Sequence, residues 1–75
     1  MGEIPDRIIE EVMDEASRAL RKYGKLKSMH EAYSVLLEEL DEFWDVVKGK
    51  GNVMDARREL TQICAAAILA IRDLT

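Results

Sequence analysis

Glu38, Glu39, Asp41, Glu42 and Asp45 crowd five carboxylates into the centre of one expected helix, within EAYSVLLEELDEFWDVV at 31–47. Like charges three and four residues apart on a helix repel, so water, basic neighbours or a bound cation must offset them. At about 100° per residue, Glu38, Asp41 and Asp45 fall opposite the apolar stripe of Met29, Ala32, Leu36, Leu40, Phe43 and Val47, where water solvates them. Glu39 and Glu42 fall on a flank beside that stripe, shared with Val35 and Val46. There, desolvation raises the cost of two nearby negative charges. On the following helix Glu59 lies inside an apolar arc of Ala56, Ile63, Ala66 and Ala70, with Gln62 one step along the flank and Asp55 one turn earlier. Hard divalent cations such as Mg²⁺ and Mn²⁺ take oxygen ligands, and carboxylates projected inward from facing helices build such cages. The seam therefore reads as a candidate metal site of Glu39, Glu42 and Glu59, with Gln62 and Asp55 as further candidate ligands. The alternative is a solvated boundary, in which the stems pack and the heads reach water or lysine.

The elements that must position these residues are three helices, expected over about 5–23, 28–48 and 52–74. Pro5 suits a helix start and Gly24 a left-handed stop. Early acids (Glu10, Glu11, Asp14, Glu15) and late bases (Arg18, Arg21, Lys22) match the helix dipole. The first helix carries an apolar stripe of Ile9, Val12, Ala16, Ala19, Leu20 and Tyr23. SMHE at 28–31 is a capping box, and Asn52 after GKGN caps the third helix. No strand pattern, repeat or low-complexity segment appears. Short connections make consecutive helices antiparallel neighbours, which predicts an all-α fold of three antiparallel helices. ICAAAILAI at 63–71 is apolar almost all round, so the third helix should be buried on more than one side. A second subunit is then expected to complete a four-helix or larger bundle, with Cys64 as a small packed hydrophobe rather than a reactive thiol.

EELDE at 38–42 followed by ELTQ at 59–62 resembles the MazG-like all-α nucleoside triphosphate pyrophosphohydrolases. Their pattern is E-E-x-x-E, a gap, then E-x-x-D. The gap here is 16 residues, and the resemblance runs from about Lys22 to Leu74. It implies a Mg²⁺-dependent enzyme that cleaves nucleoside triphosphates into a monophosphate and pyrophosphate. Glu39, Glu42 and Glu59 would match metal ligands, and Glu38 a catalytic group that orients water. Lys22, Lys25 and Lys27, or Lys48 and Lys50, can then meet the β and γ phosphates, and Trp44 or Tyr33 can stack on a base brought by a neighbouring subunit. The chain departs from the pattern where Gln62 stands in place of Asp, which offers an oxygen without charge, and at Asp41, where the family commonly has a small residue. Asp55 could substitute for the missing acid if the backbone turns it inward.

The whole chain sets limits. Its 75 residues make one domain, and a chain of that size buries only about 60% of its unfolded surface. With one cysteine and so no disulfide framework, association into a dimer or tetramer is the expected source of stability. A net charge of −4 without a clustered basic face argues against nucleic acid as a partner. No stretch approaches the roughly 18 apolar residues of a membrane span, and MGEIPDRIIEE lacks the features of a signal peptide. The expectation is a soluble, cytoplasmic protein. His30, the only imidazole, falls away from Glu39 and Glu42 and is given no role. Two other readings remain beside the enzyme: a helical oligomer that keeps the scaffold as a binding module, Gln62 marking a lost ligand, and an acidic regulator that pairs with a basic protein through Glu38, Asp41 and Asp45.

Overall fold

The computed structural model describes residues 2–75 and contains three helices, α1 (Asp6–Tyr23), α2 (Met29–Lys48) and α3 (Val53–Leu74), with no strand among the described residues. No helix among them is long and apolar enough to cross a membrane. The ends follow local chemistry. Gly24 takes a positive φ of 71° and its N–H donates to the Leu20 carbonyl at 2.8 Å, closing α1. Ser28 Oγ accepts from Glu31 N at 3.1 Å and Asn52 Oδ1 from Asp55 N at 2.9 Å, capping α2 and α3. Glu31 reaches back as a capping box requires, but to Lys27 N at 2.6 Å, one residue before the cap. In the second turn a Cβ on Gly51 would lie 2.5 Å from Val46 Cγ1, so a side chain there would force the turn apart.

Helix α3 is the central element. Helix α2 packs antiparallel to it, setting Ala32 near Leu69 and Glu42 beside Glu59. Helix α1 packs on another side and runs in the same sense as α3, with Glu11 against Arg57 near the helix starts and Leu20 against Leu69 further on. The expected contact between consecutive helices fails for one pair, because α1 and α2 do not pack on each other. The short connection between them is drawn over the end of α3. Leu26 is buried there, and its N–H donates to Asp73 Oδ2 at 2.9 Å. The Asp73 carboxylate also receives Arg72 at 2.7 Å. The chain thus crosses the C-terminal end of α3 instead of folding back along α1, leaving a cleft between α1 and α2.

The core is thin: Val12, Ala16, Leu26, Ala32, Ala65, Ala66 and Leu69, with no large side chain fully enclosed. Alanines at the crossings let the three backbones approach closely, which limits the apolar area removed from water. The expected stripe of α1 buries Val12 and Ala16 but leaves Ile9 and Tyr23 exposed. On α2 the expected core stripe is wrong in orientation. Only Ala32 of it is buried, while Met29, Leu40 and Val47 are exposed at 75%, 52% and 53%. The helix is rotated so that Ala32, Val35 and Glu39 approach α3, where small Ala65 and Ala66 and polar Gln62 and Glu59 make room for a carboxylate face. Cys64 is a second correction. It is exposed, in a groove that α3 forms with Ile8, Glu11 and Val12 of α1.

Candidate metal centre

Antiparallel pairing of α2 and α3 places Glu39 beside Gln62 and Glu42 beside Glu59. One carboxylate oxygen from each of Glu39, Glu42 and Glu59 lies within 4.8 Å of the other two. Glu39 is buried at 8% exposure, Glu59 is half-buried and Glu42 lies at the open rim. The spacing explains the arrangement: residues three apart on α2 share a face, and Glu59 meets them from the facing helix.

The electrostatics of the trio are unfavourable without a cation. Burial pushes the Glu39 carboxyl up to about 7, helped by the negative charge of Glu42, a hydrogen bond shared with it, and the charges of Glu59 and Glu38. Glu59 is raised for the same reasons, burial first and Glu42 next, with partial relief from Arg58. The described ion pairs join Glu11 to Arg57, Glu15 to Arg18, Asp45 to Lys48, Asp55 to Arg58 and Asp73 to Arg72, and none includes a member of the trio. Gln62 is the only neutral group in the constellation. With its NH₂ edge toward the acids it donates to Glu39 Oε2 at 2.9 Å and to Glu59 Oε2 at 3.0 Å. With its oxygen edge toward them it adds a fourth hard oxygen.

The other expected site residues separate into near and far. Glu38 is exposed at the rim and its charge acts on Glu39. Asp55 does not join the trio, because its carboxylate turns toward Arg58, 3.8 Å from Nη2, although its charge is felt by Glu59. Lys25 and Lys27 are exposed in the connection over the end of α3, where Lys25 acts on Asp73. From Lys27 to Glu39 is roughly 18 Å along a helix axis, so neither lysine is brought to the carboxylates. Trp44 is 55% exposed with the Lys48 ammonium 5.9 Å from its ring centroid, on the side of α2 turned away from the trio.

Two features were not anticipated. Asp73 carries no signal in the sequence, because only the fold brings the Leu26 N–H to its carboxylate. The cleft between α1 and α2 was also missed, since it exists only because those helices stand apart. It encloses about 230 Å³ and is closed at one end by Glu39 and Gln62, with Arg18 and Lys22 of α1 on its other wall. Lys22 is a phosphate candidate on the sequence alone, whereas Arg18 reads there only as a late base of α1. Comparison of the chain with protein-family models, with curated proteins and with solved structures finds no match.

Proposed function

We propose that this chain is a Mg²⁺-dependent nucleoside triphosphate pyrophosphohydrolase that cleaves between the α and β phosphates, with Glu39, Glu42 and Glu59 as metal ligands. The observation that carries the reading is the convergence of three carboxylates within 4.8 Å on a seam where no lysine or arginine pairs with them. The donor set fits a hard cation: three carboxylates, plus the Gln62 amide oxygen if that edge faces inward. Mg²⁺, or Mn²⁺ in its place, would supply positive charge for the phosphate oxygens and lower the pKa of a bound water. The residues of the chain do the rest. Glu39 and Glu59 are held by the helix pair, and exposed Glu38, whose charge already acts on Glu39, would accept a hydrogen bond from the attacking water and orient it.

The reading includes a homo-oligomer, dimer or tetramer, acting in the cytoplasm on nucleoside triphosphates. Tyr33, Leu37, Leu40, Trp44 and Val47 are all at least 41% exposed and follow a 4-3-4-3 spacing along α2. That is the spacing of a helix–helix seam. A second copy of α2 on this face would complete a four-helix bundle and cover apolar surface that a thin core leaves in water. Light scattering should find a dimer or larger species, and Leu40→Lys should dissociate it; a wild-type monomer at micromolar concentration would remove this part of the proposal.

A second reading has its own support. Because Gln62 can satisfy Glu39 and Glu59 by hydrogen bonds alone, the scaffold can also serve as a metal-free binding module. Calorimetric titration with Mg²⁺ and Mn²⁺, with and without a nonhydrolysable nucleotide, separates the two. Metal binding that strengthens with nucleotide, together with pyrophosphate release from a triphosphate, supports the enzyme. Failure to bind metal under either condition favours the module.

A further inference from the structure

We propose that the cleft between α1 and α2 holds the nucleoside half of the nucleotide, with its phosphates toward Glu39 and Gln62 and with α1 as the wall opposite the metal site. This rests on the nucleotide reading above and adds a substrate subsite within a single subunit.

The cleft combines two chemistries. Its floor is apolar, made by Val35, Ala66 and Leu69, which suits the face of a base. Its α1 wall carries the Arg18–Glu15 ion pair and Lys22, the wall's cation outside the described ion pairs, which favours a phosphorylated nucleoside over a neutral one. Arg18 is steadied from one side, because Nε and Nη2 both donate to Glu15 Oε1 at 3.1 and 2.8 Å. Nη1 takes no part in those bonds. The Lys22 ammonium lies 4.9 Å from the Tyr23 ring centroid, and its pKa is raised chiefly by Tyr23, with smaller contributions from the charges of Glu38 and Glu39 on the opposite wall. Size agrees with a partial ligand. About 230 Å³ is below the roughly 300 Å³ at which pockets for drug-sized molecules begin, enough for base and sugar but not for a whole triphosphate. Length agrees as well, since Gln62 to Leu69 covers about 10 Å of helix axis, close to the reach from a first phosphate to the far edge of a base.

The test compares adenosine monophosphate with inorganic pyrophosphate as probes, each titrated in the presence of Mn²⁺ into wild type, Ala19→Phe and the Arg18→Gln/Lys22→Gln double variant. Ala19 is half-buried on α1 beside the cleft, and phenylalanine there fills it. We expect Ala19→Phe to weaken monophosphate binding at least tenfold and to leave pyrophosphate binding within twofold. The double variant, altered only on α1, should weaken the monophosphate three- to tenfold while Mn²⁺ binding is retained or slightly strengthened, because a cation near Glu39 is removed. Equal monophosphate binding by wild type and both variants overturns the proposal. So does a loss of pyrophosphate binding as large as the loss of monophosphate binding, which would give the cleft to phosphates. If Ala19→Phe does not fold, the double variant decides. If wild type binds no Mn²⁺, the metal reading fails separately, and titration of monophosphate without metal still decides the cleft by its sensitivity to the same variants.

Discussion

Asp73 of α3 and Glu39 of α2 both take a carboxylate out of water, and their surroundings push them in opposite directions. Asp73, with its side chain 3% exposed, accepts the Leu26 N–H and the Arg72 guanidinium and is held below the usual carboxylate range, the backbone hydrogen bond being the largest cause. Glu39 is nearly as enclosed, faces two other acids and is pushed up to about 7. A buried carboxylate with donors around it is an anchor for the fold. One surrounded by further acids is a site waiting for positive charge, or for a proton. The α2–α3 pair therefore carries a structural acid at the C-terminal end of α3 and a candidate ligand set, Glu39 and Glu42 of α2 with Glu59 of α3, along its seam.

The contrast can be broken by mutation. The largest effect expected is on activity: Glu39→Gln should reduce pyrophosphate release by two or more orders of magnitude while leaving the metal-free protein as stable as wild type or more so, because a mutual repulsion is removed. Turnover assays and thermal melts of the same samples read both arms. Lost stability with retained turnover would make Glu39 a structural acid like Asp73. Asp73→Ala should do the reverse. It orphans the Leu26 N–H and loosens the connection over α3, and we expect Tm to fall by on the order of 5–10 °C with metal affinity little changed.

Titration sharpens the comparison further. The Glu39 pKa is raised in the fold from its ordinary 4.5 to about 7, so the native state binds the proton more tightly than the unfolded chain. Its contribution to stability is fully present below about 4.5 and is lost as pH rises through about 7. Asp73 is lowered, so its contribution is present above its ordinary value and is lost as pH falls through the depressed one. Urea unfolding of the metal-free protein between pH 4.5 and 8 should show stability declining toward high pH. Glu39→Gln should flatten that decline, and saturating Mg²⁺ should reverse it; a decline unchanged in the variant would assign it to other groups.

The smallest predicted change is at Gln62. Gln62→Asp replaces an amide that can donate to Glu39 and Glu59 with a fourth negative charge. Mn²⁺ affinity should rise about tenfold, within the range typical of altered groups around a metal, while the metal-free protein loses stability. If calorimetry shows neither change, Gln62 does not lie beside the cation.

Much of this was legible in particular residues. Ser28, Asn52 and Gly24 each carry a local backbone requirement, so the helix ends were readable to within about a residue. Glu39, Glu42 and Glu59 were readable as a group because three-residue spacing on one helix and a single acid among alanines on the next depend only on helical periodicity. Asp55 shows where that reasoning stops. Its position on the helix was read correctly, but a side chain near a helix end can turn to a neighbouring Arg58 as readily as inward. Leu40, Met29 and Val47 show it again. Hydrophobicity alone selected them for the core, and an alanine-lined α3 took the carboxylate flank of α2 in their place.

By itself the sequence determined the number of helices, their limits and the residues that share a face of each, since caps and periodicity act over one or two turns. The tertiary structure decided which face turns inward, that α1 stands apart from α2, and that Asp73 ties the connection across the end of α3. Those outcomes depend on how closely two backbones can approach and on which partners complete a buried charge, and both are set by residues far apart in the chain.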